Sequence, residues 1–335
     1  LENLMVNTVP EKILLKDDLK IDEPLSENDA LKKLKSISKQ NKIFRNFIGM
    51  GYYNSFTPNV ILRNILENPG WYTSYTPYQP EVAQGRLEML LNFQQLIIDL
   101  TGMDIANASL LAEATAAAEA VGLSQRLDKN DLKKIFVSSS CNPQTIDLIK
   151  TRTEPFGLEL IIGNEKEDLP NISENIICGV LAYPGTLGDI QDPSESISQI
   201  HKKSGKAILI CDLLALTRLK TPAELGADIA VGSAQRFGIP MVYGGPHAAF
   251  FATKEEFKRS MPGRIIGVSV DRHGKKAYRL SLQTREQHIR RDKATSNICT
   301  AQALLAIISA AFAIYHGPKG ILKIANRTST LAKLF

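Results

Sequence analysis

The chain of 335 residues is short of several things, and each shortage narrows what it can be. It has one tryptophan and four widely separated cysteines, Cys141, Cys178, Cys211 and Cys299. That spacing gives neither the paired thiols of a zinc site nor the density of a secreted disulfide scaffold, so reduced thiols and no metal are expected. We find no apolar run long enough to cross a bilayer and no basic-then-apolar leader, which points away from a membrane and toward bacterial cytoplasm or an organelle matrix. Internal repeats and low-complexity tracts are also missing. The chain opens on Leu1 rather than Met and stops inside a periodic helix at Phe335, so both ends read as truncations. A more local absence is chemical: no lysine occurs between Lys220 and Lys254.

What is present suits a large folded core, with 44% hydrophobic and 22% charged residues. The net charge of +5 is concentrated. Residues 259–293 carry ten Lys or Arg against three acids, a local excess of seven that leaves the rest slightly negative. This stretch lacks interleaved aromatics and any nucleic-acid-binding module, so no nucleic acid is expected. Solvated surface helices or an anion site are the two remaining readings.

Periodicity divides the chain. Ser26-Glu-Asn-Asp29 can cap a helix bearing Leu31, Leu34 and Ile37, an arm expected to pack on another surface. Thr57-Pro58 starts a second helix that Asn68-Pro69-Gly70 stops, and Pro80 starts a third, with Val82, Leu87, Leu90, Leu91 and Ile98 on one side and Gly102 after its end. Short apolar runs then follow at 134–137, 158–162, 177–183, 207–211, 229–231 and 248–252, separated by helix-like segments. Such alternation predicts an α/β fold with a mostly parallel sheet covered on both faces. Ligands on these sheets sit at the carboxyl ends of strands, which places Thr186, Asp212, Gln235 and Arg236 near one rim.

Several tracts are long and specific: Phe47-Ile-Gly-Met-Gly-Tyr-Tyr53, Trp71-Tyr-Thr-Ser-Tyr-Thr-Pro-Tyr-Gln-Pro80, Asn107-Ala-Ser-Leu-Leu111 with Thr115-Ala-Ala-Ala-Glu119, Gln235-Arg-Phe-Gly238, Tyr243-Gly-Gly-Pro-His247, and Gln283-Thr-Arg-Glu-Gln-His-Ile-Arg-Arg-Asp-Lys-Ala-Thr-Ser-Asn-Ile-Cys-Thr300. Together they resemble the glycine cleavage system P-protein family, from about residue 44 to the end. The resemblance implies a large domain of the pyridoxal-phosphate (PLP)-dependent transferase type, fold type I, over 56–299. It also implies an amino-terminal helical arm over 1–55 and the start of a truncated carboxy-terminal domain over 300–335. In the long form of that family two such halves are fused and the reactive lysine lies in the second, and this chain resembles most of the first. The activity implied for the whole is decarboxylation of glycine with transfer of the aminomethyl group to the lipoyl arm of H-protein. T- and L-proteins act beside it, and the fused chains pair as a homodimer.

The site residues follow from that likeness. Gln235 and Arg236 occupy the turn that carries the cofactor lysine in related folds, and neither a carboxamide nor a guanidinium can form an aldimine. Asp212, 23 residues earlier, stands where such folds place the carboxylate that faces the pyridine nitrogen, and Thr115 opens the helix that seats the phosphate. Both are expected to be relics, Asp212 alternatively a helix cap or ion-pair residue. The family's residues are replaced by Ala112 and Ala114 beside Thr115, which weakens the phosphate seat and favours alanine packing. Tyr75, Tyr78 and Gln79, on a rigid proline-flanked loop, are expected to wall the active site or to pack at the join between halves. Thr295, Ser296 and Asn297 are expected to meet a cofactor phosphate across the interface, or to cap a helix. His247 is expected to be a hydrogen-bonded structural residue. Two other classes remain open: a purely structural or regulatory pseudoenzyme, and an independent PLP enzyme, such as an aminotransferase, that uses a different lysine.

Overall fold

The computed structural model describes all residues except Lys16, Asp18, Pro246, 283–290, 292–293 and 295–301, and the side chain of Tyr243. The expected contacts of Thr295, Ser296 and Asn297 therefore lie outside the described residues. The chain divides into two units, Leu1–Ile48 and Gly49–Phe335, so residues 49–55 go with the second.

The first unit holds α1 (Glu2–Thr8) and α2 (Glu27–Ser38). Ser26 caps α2: its Oγ accepts from the Asp29 amide at 3.3 Å and donates to the Asp29 carboxylate at 2.6 Å. The stripe of Leu31, Leu34 and Ile37 is exposed, and neither helix buries any residue.

In the second unit come α3 (Asn59–Ile61), a π-helical turn at Leu62–Leu66, α4 (Pro69–Tyr72), α5 (Gln84–Thr101), β1 (Ile105–Ala106), α6 (Glu113–Leu127), β2 (Lys134–Ser138), α7 (Pro143–Thr153), β3 (Glu159–Gly163) and β4 (Cys178–Tyr183). They are followed by α8 (Ser194–Lys202), β5 (Lys206–Asp212), α9 (Leu213–Leu216), β6 (Ile229–Ser233), β7 (Ala249–Thr253), β8 (Ile265–Val270), β9 (Lys276–Ser281) and α10 (Ala303–Leu334). Seven strands form one sheet in the order β1-β7-β6-β5-β4-β2-β3, parallel except where β7 pairs antiparallel with both β6 and β1.

Each inner strand is buried on both faces, so its apolar run is continuous and successive residues serve opposite sides. In β5, Leu209 and Cys211 join the core under α5 and α10, while Ile208 and Ile210 join the core under α6 and α7. Phe250 and Phe251 of β7 divide in the same way. Gly232 in β6 is required by this packing, because a Cβ there would lie 2.2 Å from the Cys211 carbonyl oxygen and 2.7 Å from the Phe250 ring.

Three expectations are corrected. The third helix begins at Gln84, not Pro80, which leaves Val82 outside it and 65% exposed. Part of the basic stretch is not helical: β8 and β9 form an antiparallel hairpin around a turn in which Asp271 accepts from the amides of His273 and Lys275. Among the described residues α10 is also long and apolar enough to cross a membrane by length and composition. It breaks at Gly317 (φ 62°), before Pro318, and buries Ile307, Ile308, Ala310 and Phe312 in the core beside α5.

The hairpin is attached to α5 by two glutamines whose carboxamides act as rungs of a β-ladder. Gln84 accepts from the Tyr278 amide and donates to its carbonyl, both at 2.8 Å. Gln94 does the same at Ile266, at 2.8 and 3.2 Å. Each satisfies an edge-strand donor and acceptor that would otherwise be open to pairing.

Gly232→Ala is expected to lower stability by about 1–3 kcal/mol, because backbone and a packed ring must both move. Gly85→Ala, in the first turn of α5 with no atom near its added methyl, is expected to raise it by roughly 0.5 kcal/mol. Urea unfolding of the two variants checks this, and equal effects would contradict the packing described.

Candidate functional site

Five segments converge at the carboxyl ends of the parallel strands, where strand amides and helix starts leave room for a ligand. They are the first turn of α6, the turn after β2, the turn after β4, the end of β5 and the turn after β6. Together with the loop at Gly51 and Tyr53 they enclose a cavity of about 50 Å³. The four rim residues expected from the sequence, Thr186, Asp212, Gln235 and Arg236, all line it.

Asp212 is committed on both oxygens. Oδ1 caps α9, accepting from the amides of Leu214 at 2.8 Å and Ala215 at 3.0 Å, and Oδ2 is ion-paired with Nη1 of Arg236. The guanidinium lies in turn under the ring of Tyr53, 4.5 Å from its centroid. Gln235 is buried, and its carboxamide is spent on the backbone: Oε1 accepts from the Tyr53 amide at 3.3 Å, and Nε2 donates to the carbonyls of Tyr53 at 2.6 Å and Ile239 at 2.9 Å.

A second chain of bonds crosses the cavity. Thr186 donates through Oγ1 to Oδ1 of Asn142 at 2.7 Å, and Nδ2 of Asn142 donates to Oε1 of Glu113 at 3.0 Å. Burial pushes the Glu113 carboxyl up to about 7, helped by the nearby Asp212 charge and opposed by the Asn142 bond. Burial likewise raises the thiols of Cys141 and Cys211, which stay protonated and unreactive.

The pyridoxal phosphate implied by the resemblance does not fit this set of residues. There is no amine in the turn, the carboxylate that would face a pyridinium already holds Arg236, and the cavity has space for a few water molecules, not for a ring and a phosphate. Thr115 sits in the first turn of α6, which begins two residues earlier than expected, and is not part of the lining.

The remaining candidates lie elsewhere. The Tyr75 hydroxyl donates to Oε1 of Gln79, and Arg86 holds the loop by donating to the carbonyls of Tyr75 at 2.8 Å and Thr76 at 3.2 Å. Tyr78 packs with its ring under Arg264, 5.4 Å from the centroid, and burial lifts its phenol to about 12. None of the three lines the cavity. His247 departs from expectation: it is buried, and among the described residues neither ring nitrogen has a hydrogen-bond partner. Its ring meets the edge of Tyr52 at 4.7 Å, and burial lowers its pKa.

Sequence reasoning missed Glu113, Asn142 and Tyr53. Glu113 stood between the two alanines that drew notice, and Asn142 stood just before the proline that starts α7. Tyr53 closes one of the tracts that carry the resemblance, but nothing local gave it a role, since only the folded chain brings it to a turn about 180 residues away.

Because folding holds the Glu113 proton more tightly than the unfolded chain does, its ionisation costs stability as pH rises from about 4.5 to about 7, and the whole cost is present above that. Glu113→Gln keeps the Asn142 bond and removes the charge. It is expected to be more stable than the native chain by roughly 2–3 kcal/mol near pH 8 and nearly equal to it near pH 4. Urea unfolding at both values tests this, and a difference independent of pH would contradict it.

The sequence profile of the family described as Glycine cleavage system P-protein matches residues 1–335. Among curated relatives, glycine dehydrogenase (decarboxylating) of Pelagibacter ubique is 77% identical over all of this chain and 35% of its own length. The mitochondrial glycine dehydrogenase (decarboxylating) B of Flaveria pringlei is 57% identical over all of this chain and 32% of its own. The chain thus spans about a third of the length of these relatives. A crystal structure of glycine decarboxylase (P-protein) in inhibitor-bound form superimposes with a TM-score of 0.88 at 36% identity, covering 96% of this chain and 74% of that one. A sphingosine-1-phosphate lyase of Burkholderia pseudomallei, at 13% identity, covers 94% of this chain and 74% of its own with a TM-score of 0.63, and shares the fold alone.

Proposed function

Because the chain belongs to the glycine cleavage system P-protein family, we propose that it is the lysine-free part of a glycine-decarboxylating enzyme, whose cofactor lysine lies beyond these 335 residues. The complete enzyme decarboxylates glycine and passes the aminomethyl group to the lipoyl arm of H-protein. It works with T- and L-proteins, as a homodimer, in bacterial cytoplasm or mitochondrial matrix. Pyridoxal phosphate, when bound in the other part, supplies the electron sink for loss of carbon dioxide.

The observation that carries this reading is Asp212, whose two oxygens are taken by a helix cap and by Arg236. A carboxylate so committed already has its charge paired with a guanidinium, and the turn beside it offers no amine. What this chain contributes is rigid surface. On this reading Tyr75, Tyr78 and Gln79, fixed by Arg86, wall the active site of the other part, Thr295, Ser296 and Asn297 reach its phosphate, and the basic hairpin attracts anionic groups.

The test is borohydride reduction of the complete enzyme with pyridoxal phosphate, followed by peptide mapping. All of the label is expected on a lysine outside residues 1–335, and these 335 residues alone are expected to release no carbon dioxide from glycine. A labelled lysine inside them, or carbon dioxide from them unaided, would contradict the proposal.

A further inference from the structure

The rim lacks space for a cofactor because the chain fills it with its own aromatic ring. We propose that Tyr53 is the resident occupant of the strand-end site, standing where a planar ligand would stack on Arg236, and that a neutral phenol-sized ring can take its place when segment 49–53 is withdrawn.

The geometry is that of a ligand in a site. The Tyr53 ring covers the Arg236 guanidinium at 4.5 Å, the guanidinium is ion-paired with Asp212, and the remaining void of about 50 Å³ adjoins the ring. Removing the ring enlarges that void by the volume of a phenol, with a cation face ready for a π-system and the polar groups of Ser140, Asn142 and Ser233 around it. Two carboxyls, Glu113 and Asp212, line the recess with a single guanidinium, which is already paired with Asp212. The recess is therefore short of positive charge, which selects a neutral hydroxyaromatic and disfavours a phosphorylated ring.

The segment that delivers Tyr53 is held by added contacts, since its own backbone preference is poor. Gly49, Met50 and Gly51 have φ of 67°, 55° and 87°, a left-handed run that costs a non-glycine residue such as Met50. Gln144 fixes the Met50 carbonyl at 2.7 Å, Gln235 clamps Tyr53 by both backbone groups, and Tyr52 lies across Gly245, where a Cβ would come within 2.6 Å of its ring. Tyr53 is 37% exposed, so its withdrawal opens the recess to solvent.

The experiment uses the complete protein carrying Tyr53→Gly, with Tyr53→Phe and the native protein as references, and 4-methylphenol, the excised side chain, as the probe. The glycine variant is expected to bind it saturably in equilibrium dialysis and to gain roughly 2–4 °C in Tm, while the other two gain nothing. Pyridoxal phosphate in a parallel titration is expected to add no bound equivalent in this variant. If the variant folds and shows no saturable binding, or if the native protein binds equally, the inference is overturned. Extra pyridoxal phosphate bound by the variant would also overturn it. If the variant does not fold alone, refolding with the probe decides: recovery supports the inference and failure overturns it.

Discussion

A carboxylate at the end of a buried parallel strand cannot be left without partners, and the way Asp212 is satisfied governs the rest of this site. Burying an unpaired charge costs several kcal/mol, so the fold must supply a cation, a set of donors or a ligand. Here it supplies two amides from the start of α9 and the guanidinium of Arg236. The choice is self-consistent. Arg236 brings a delocalised cation whose free face then needs covering, Tyr53 covers it, and Gln235 in the same turn holds Tyr53 by its backbone. With arginine and glutamine in this turn, the strand-end site is packed structure.

The glutamines share one physical device. Gln84, Gln94 and Gln235 each exchange a donor and an acceptor with one residue of a neighbouring segment, as a strand would. A carboxamide has the peptide's own hydrogen-bonding pattern, so it can finish a ladder without adding a strand. In this way the β8–β9 hairpin is fixed to α5 and the 49–53 segment to the strand-end turn, and buried backbone groups stay paired where the sheet itself ends. Elsewhere Asp228 does comparable service through charge, accepting from Lys254 at 2.6 Å and the Ala207 amide at 2.8 Å, with His201 at 2.9 Å. Those bonds hold its carboxyl below the usual range against the opposing effect of burial.

Much of the fold was legible because strands buried on both faces write themselves as unbroken apolar runs, and all six expected runs are strands, the edge strand β3 and the antiparallel β7 among them. The two-residue β1 was too short to register. The β8–β9 hairpin was missed for another reason, since the count of positive charge over 259–293 drew attention from alternation in Ile265–Val270 and Lys276–Ser281 about a turn at Gly274. At the site, residues fixed by strand ends could be placed, as Thr186, Asp212 and Arg236 were. Residues delivered by tertiary contact could not. Tyr53 reaches its turn across the fold, and the shift in Glu113 comes from burial and from Asp212, neither of which the local sequence of α6 records.

That Arg236 is the charge partner on which Asp212 depends is tested most directly by a double-mutant cycle with Asp212→Asn and Arg236→Met in urea unfolding. Asparagine keeps the cap on α9 and removes only the charge, so the cycle isolates the ion pair. A coupling of about 2 kcal/mol is expected for a pair this shielded from solvent. A coupling below roughly 0.5 kcal/mol, the level of an exposed surface pair, would contradict it.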